Sequence, residues 1–219
     1  DAARLWQAQQ LGLFQPVKSA VLDERIPAKY RDPAGDWYGF SYRARVMVYN
    51  KAMADRAAVA TYELLADPKN KGKVCTRSGS HPYNLSLIGS MVAHLGDAGA
   101  QTWAKGVVAN FARMPKGGDT DQIKAVAAGE CAVALTNTYY YARLMRSTAP
   151  ADREIVAKTA LVFPDQDTYG THVNISGAGV LKSAPHRENA KKFLEYLASA
   201  EAQRYFADGN NEWPVVPSV

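Results

Sequence analysis

Short apolar runs of strand length alternate with longer amphipathic stretches along the chain. Ser41-Tyr42-Arg43-Ala44-Arg45-Val46-Met47-Val48-Tyr49 alternates as a strand does, and further strands are predicted over 73–77, 131–136, 160–163 and 171–181. Helices are predicted over 2–13, 59–66, 84–95, 99–112, 186–198 and 201–208. Another helix opens at Asp119-Thr120-Asp121-Gln122, read as a capping residue with Gln three positions on, and stops at Gly129. Leu5, Trp6 and Ala8 or Leu11 face inward on the first helix, and Leu85, Ile88, Met91 and Val92 form one stripe of the helix over 84–95. This alternation predicts an α/β protein with a largely parallel sheet.

At 219 residues the chain can build one large domain or two small ones. Its net charge of +5 is spread out, with no basic run of the kind that tracks nucleic acid, so no nucleic-acid partner is expected. No apolar run approaches the roughly 20 residues of a membrane span. The first residue is Asp1, as in a processed or truncated chain. Cys75 and Cys131 each sit in or beside a strand-like run, so they are either a disulfide or two buried thiols. A disulfide would suit an oxidising compartment.

The stretch Asn137-Thr138-Tyr139-Tyr140-Tyr141-Ala142-Arg143 stands where a strand hands over to a helix. Ligands of α/β proteins sit at the carboxyl ends of strands. A phenol has a reference pKa near 10, and only a positive partner stabilises its anion at neutral pH. A helix N-terminus, Arg143 or a bound cation can each do so. Phenolate oxygen is a hard anionic ligand, better matched to Fe3+ than to zinc. Neighbouring helical residues diverge by roughly 100°, so Tyr139 and Tyr140 converge on one ion only if one of them precedes the helix. Tyr141 then points elsewhere and packs. Simple packing of all three tyrosines is the competing reading.

Ser78-Gly79-Ser80 lies between a strand and a helix and offers hydroxyls and N–H groups, either to an anion or to the helix as a cap. His81 beside it is a loop histidine or a ligand. No nucleophile–base spacing and no phosphate-loop motif occurs, so no enzyme is expected.

On Ala125-Val126-Ala127-Ala128-Gly129-Glu130, Asn137 to Leu144, Gly39 to Val46, Gly118 to Ile123 and Trp103 to Asn110, the chain resembles the periplasmic ferric-iron-binding proteins of bacterial ABC importers. The resemblance implies a class II periplasmic-binding fold: two α/β lobes joined by crossings at 41–49 and 171–181. Lobe 1 would be 1–44 with 176–219, and lobe 2 would be 45–175. It implies Tyr83, Tyr139 and Tyr140 as ligands of Fe3+, and Ser78, Gly79, Ser80, Arg43 and Asn137 as contacts of an accompanying carbonate or phosphate. Arg45 is the second choice to Arg43. It further implies a monomeric solute-binding component in the periplasm, closing over iron between its lobes and delivering it to an inner-membrane permease. Family members carry a strand–helix–strand unit ahead of the point matched by Asp1, and further helices after Val215, so the first lobe is expected to be incomplete. The alternative function is the same fold binding a small phosphonate or carboxylate without metal. A transcription-regulator effector domain is a third.

Overall fold

The computed structural model describes all 219 residues. They form two compact units, 1–43 with 173–219 and 44–172. The resemblance had placed the divisions at 44/45 and 175/176.

The first unit begins with α1 (Ala2–Gln10), β1 (Phe14–Gln15) and α2 (Ala20–Arg25). The Ser19 hydroxyl accepts from the Leu22 N–H and so caps α2. β2 (Tyr38–Asn50) then carries the chain into the second unit. That unit holds β3 (Val74–Cys75), α3 (Pro82–Ala109), α4 (Asp119–Ala127), β4 (Val133–Asn137), α5 (Thr138–Arg146), α6 (Pro150–Lys158) and β5 (Thr159–Val162). The return leads through β6 (Val173–Ala178), β7 (Val180–Leu181), α7 (Arg187–Leu197), α8 (Ala200–Asn210) and β8 (Trp213–Pro214).

Leu22, Ile26, Tyr38, Phe40, Val180, Leu194 and Val215 form the main core of the first unit, and Leu5, Phe14 and Ile175 a smaller one. Trp6 and Leu11, expected inside, are 59% and 67% exposed. The helix ends at Gln10 and Gly12 turns the chain with a φ of +62°, so Leu11 never continues the buried stripe.

In the second unit the strand order is β3-β4-β2-β5. β2 is antiparallel to β4, from Arg45↔Asn137 to Tyr49↔Val133, and antiparallel to β5; only β3 and β4 pair in parallel. The sheet is therefore mixed, not largely parallel. Parallel neighbours arise from strand–helix–strand crossovers, whereas β2 enters this unit as a single strand from the other one. Met47, Leu65, Leu87, Met91, Trp103, Val107 and Leu135 pack on one side, and Val48, Ile123, Val126, Ala134 and Tyr141 on the other. Cys75 and Cys131 belong to the latter cluster and are joined by a disulfide, with Cα atoms 5.9 Å apart. No helix is long and apolar enough to cross a membrane.

Three local expectations change. The helix expected over 59–66 is a pair of short 3₁₀ turns, Ala57–Val59 and Glu63–Ala66. The Asp165 carboxylate takes the Tyr62 N–H, which is lost to an α-helical ladder, while the Tyr62 carbonyl accepts both the Trp103 indole N–H and the Leu65 N–H three residues on, the bond of a 3₁₀ turn. The two helices expected over 84–95 and 99–112 form α3, broken at Gly96, where φ is 71°. Its buried face runs through Asn84, Leu87 and Met91, leaving Leu85 52% exposed. Asn84 is drawn inward by hydrogen bonds and takes positions three and seven residues on with it. Finally, Gly118 caps α4, with its N–H bound by the Asp121 carboxylate at 2.7 Å; Asp119 lies inside the helix and Gln122 bonds the carbonyls of Lys116 and Gly118.

Where the chain enters and leaves the second unit, the Arg45 N–H donates to the His172 carbonyl at 2.9 Å. The Tyr62 hydroxyl, buried, donates to the Arg45 carbonyl and accepts from the His172 N–H.

Candidate metal centre

α5 starts at Thr138, directly after β4, so Tyr139 and Tyr140 both occupy its first turn. Neither precedes the helix, yet their ring centroids are 4.4 Å apart. Helical side chains lean toward the N-terminus, and no earlier turn lies there to block the two long phenols. Tyr141 turns away: its buried hydroxyl meets the Thr159 carbonyl at 3.1 Å and the Thr159 hydroxyl at 3.2 Å.

Tyr83 comes from the first turn of α3. The Tyr139 hydroxyl donates to the Tyr83 hydroxyl across 2.9 Å and faces the Asn137 amide at 3.4 Å. Burial pushes the Tyr139 pKa well above the ordinary phenol value, hydrogen bonding to Tyr140 and Tyr83 adds to the rise, and the Asn137 amide opposes it. Without a cation this phenol is neutral. Guanidinium groups flank the cluster: Arg77 lies 5.0 Å and Arg45 5.9 Å from the Tyr83 ring, and Arg143 lies 5.9 Å from the Tyr140 ring.

Beneath the phenols is a buried polar network that joins Arg45 and Asn137, expected as anion contacts, to Asp119, Arg77 and Asn84, for which no site role is expected from the sequence. The Asp119 carboxylate accepts from Arg45 at 2.6 Å, from the Asn137 backbone N–H at 2.8 Å and from Arg77 at 3.3 Å. Arg45 also donates to the side-chain oxygens of Asn137, at 3.1 Å, and Asn84, at 2.7 Å. The Asn84 amide in turn bonds the Thr76 hydroxyl and the carbonyls of Arg77 and Ser78. Asp119 had been read as a helix cap, which has the same local signature as an acid turned inward one position later. Asn84 carried no signal beyond being a polar residue amid an apolar stripe.

Ser78, Gly79 and Ser80 form an exposed loop just ahead of α3. The two hydroxyls are 2.8 Å apart, and His81, not a serine, caps the helix by accepting from the Tyr83 N–H at 3.3 Å. Asn84 ties this loop to the network through the Ser78 carbonyl. Arg43 belongs to the first unit, where its guanidinium binds the Asp1 carboxylate and the Ser176 hydroxyl. Arg45 is the crossing-strand arginine beside the phenols. Tyr83, Tyr139, Tyr140, Asn137 and the Ser78–Ser80 loop all lie in the second unit.

Chemically, the arrangement offers clustered phenols that can exchange protons for a cation. In an octahedron with metal–oxygen bonds of about 2.0–2.1 Å, cis oxygens are about 2.9 Å apart. The Tyr83–Tyr139 oxygen separation of 2.9 Å matches that spacing.

A family model described as "Bacterial extracellular solute-binding protein" matches residues 4–219. The chain is similar to Iron uptake protein A2 of Synechocystis sp., at 56% identity over 100% of this chain and 64% of that protein. It is also similar to Iron uptake protein A1 of the same strain, at 50% identity over 100% of this chain and 61% of that protein. The chain thus spans less than two thirds of the length of either relative. Among solved structures, the Trichodesmium IdiA (FutA) protein in complex with iron and citrate superposes with a TM-score of 0.94 and 54% identity, over 100% of this chain and 69% of that one.

Proposed function

Since the chain belongs to the bacterial extracellular solute-binding proteins and lies close to their iron-uptake members, we propose that it is the ferric-iron-binding component of an ABC importer. Tyr83, Tyr139 and Tyr140 give up their protons to hold Fe3+ as tyrosinates. A small anion, carbonate or phosphate, fills remaining positions beside Ser78, Gly79, Ser80 and Asn137. The protein acts in the periplasm, as a monomer, and hands its cargo to an inner-membrane permease. It is a transport protein and performs no catalysis.

The observation that carries this reading is the Tyr139–Tyr83 hydroxyl contact at 2.9 Å, made between two helix first turns 56 residues apart. Two buried-edge phenols bonded to each other gain little stability from the pairing. As cis ligands of one hard cation they have a use. Three phenolates neutralise the three charges of Fe3+. The disulfide fits an oxidising compartment. The iron and citrate bound by the Trichodesmium relative supports both the cargo and the presence of an anion.

Ferric citrate added to the protein should produce the visible charge-transfer colour of tyrosinate–iron bonds, and Tyr139→Phe should abolish or strongly bleach it. A colourless wild-type titration would defeat the proposal. A rise in melting temperature with a phosphonate or carboxylate, with no absorbance change, would instead favour a metal-free anion binder.

A further inference from the structure

The phenols converge from two helices, so something must fix the distance between those helices. We infer that the buried pair Asp119–Arg45 is the positioning element of the tyrosine site; this rests on the proposed tyrosinate reading. The Asp119 carboxylate holds the Asn137 backbone N–H, which fixes the strand end two residues before Tyr139. Arg45 links the two sides: one terminal nitrogen serves both Asp119 and the Asn137 side chain, and the other serves Asn84, the residue next to Tyr83. Orienting the Asn137 oxygen toward Arg45 leaves its NH2 group facing the Tyr139 hydroxyl. A single guanidinium thereby spans from the residue beside Tyr83 to the residue governing Tyr139.

Both charges are essentially excluded from water, with side chains 1% and 0% exposed. A buried ion pair is a poor stabiliser compared with apolar residues of similar size, because desolvation offsets its attraction. Its retention beneath the phenols is better explained by geometry. Arg45 therefore works through Asn84 and Asn137, and its terminal nitrogens are engaged there.

The test compares wild type with Asp119→Asn, with the double variant Arg45→Met/Asp119→Leu, which removes the pair but leaves Arg77, and with Asn84→Ala. Each is titrated with ferric citrate against a competing chelator, followed by the tyrosinate absorption band, and checked for folding by circular dichroism and cooperative unfolding. Loss of an orienting partner around a metal site costs about 10–100-fold in affinity. Folded variants should lose affinity by that factor and show a shifted or weakened band. A folded double variant with wild-type band and affinity overturns the inference. If the double variant does not fold, Asn84→Ala decides by the same criteria. If wild type shows no iron band, the tyrosinate reading fails; a crystal structure of the folded variants then tests the positioning by itself, and an unchanged 2.9 Å separation of the Tyr139 and Tyr83 hydroxyls overturns the inference.

Discussion

Tyr139 and Tyr83 share a hydrogen bond of 2.9 Å, with Tyr139 as donor, although 56 residues separate them in the chain. Removing either hydroxyl should therefore separate binding from folding. In Tyr139→Phe or Tyr83→Phe, unfolding free energy should change by only about 1 kcal/mol, the usual worth of one hydrogen bond. Iron affinity should fall by more than the roughly 10–100-fold attached to an outer partner. Denaturant unfolding beside chelator competition measures both. Equal small effects on both quantities would remove these phenols from the ligand set.

Acid should release the cargo. Tyr139 is held protonated by burial and by hydrogen bonds to Tyr140 and Tyr83, so iron must displace its proton. Each displaced proton makes apparent affinity fall about tenfold per pH unit on acidification. With three phenols the slope should exceed one, and Tyr139→Phe should lower it by about one unit. Competition titrations across about pH 5–8 give the slope; a flat profile would exclude phenolate ligation.

At the alkaline end the same phenol affects the fold itself. The raised folded pKa means that above about pH 10 the unfolded chain loses its Tyr139 proton while the folded one keeps it. Stability is intact below that point and declines as pH rises through it. Tyr38, Tyr42, Tyr62, Tyr141 and Tyr169 are shifted upward by burial too and add to the decline. Thermal unfolding from neutrality to above pH 10 should show the melting temperature dropping over that interval.

Reducing the disulfide should be costly. Cys75 and Cys131 close a loop with a sequence separation of 56 residues. Constraining the unfolded chain over such a loop is worth about 4 kcal/mol in the entropy model. Cys75→Ala/Cys131→Ala should unfold at correspondingly lower guanidinium concentration. An unchanged midpoint would mean that the unfolded chain gains nothing from the link.

Gly106 lets α3 approach the 3₁₀ turn Glu63–Ala66 closely. A Cβ there would lie 2.7 Å from the Ala66 Cβ and 3.0 Å from its carbonyl oxygen. Gly106→Ala raises helix propensity, yet it should destabilise by about 1–3 kcal/mol, because backbone must shift to admit the methyl. Stabilisation by the substitution would show that this contact relaxes freely.

Much of the fold was legible because apolar periodicity survives in strands and in long helices; β4, α5, α7 and α8 fall close to their expected positions. The tyrosines were visible as a cluster, and the fate of Tyr141 followed from helical geometry. What escaped depended on partners distant in sequence. The chain at Tyr62 departs from an α-helix because the carboxylate of Asp165, far along the sequence, takes its N–H. Asp119 turns inward because Arg45 and Arg77 are there to meet it. Alternation along the chain also carries no information on the direction in which β2 enters its sheet. Of the two crossing-strand arginines, Arg43 and Arg45, periodicity puts both on one face, and only the fold assigns them to different units.

The knot of Tyr62, Arg45 and His172 brings together the two points at which the chain joins and leaves the second unit. A segment whose ends are already stitched side by side is a removable module. Residues 44–172 contain the disulfide, the Asp119–Arg45 pair and all three candidate phenols. Ends held this close cost little chain entropy to close, which is the property that favours circular permutation or insertion into a host loop. The tyrosine chemistry would then be a portable property of one unit.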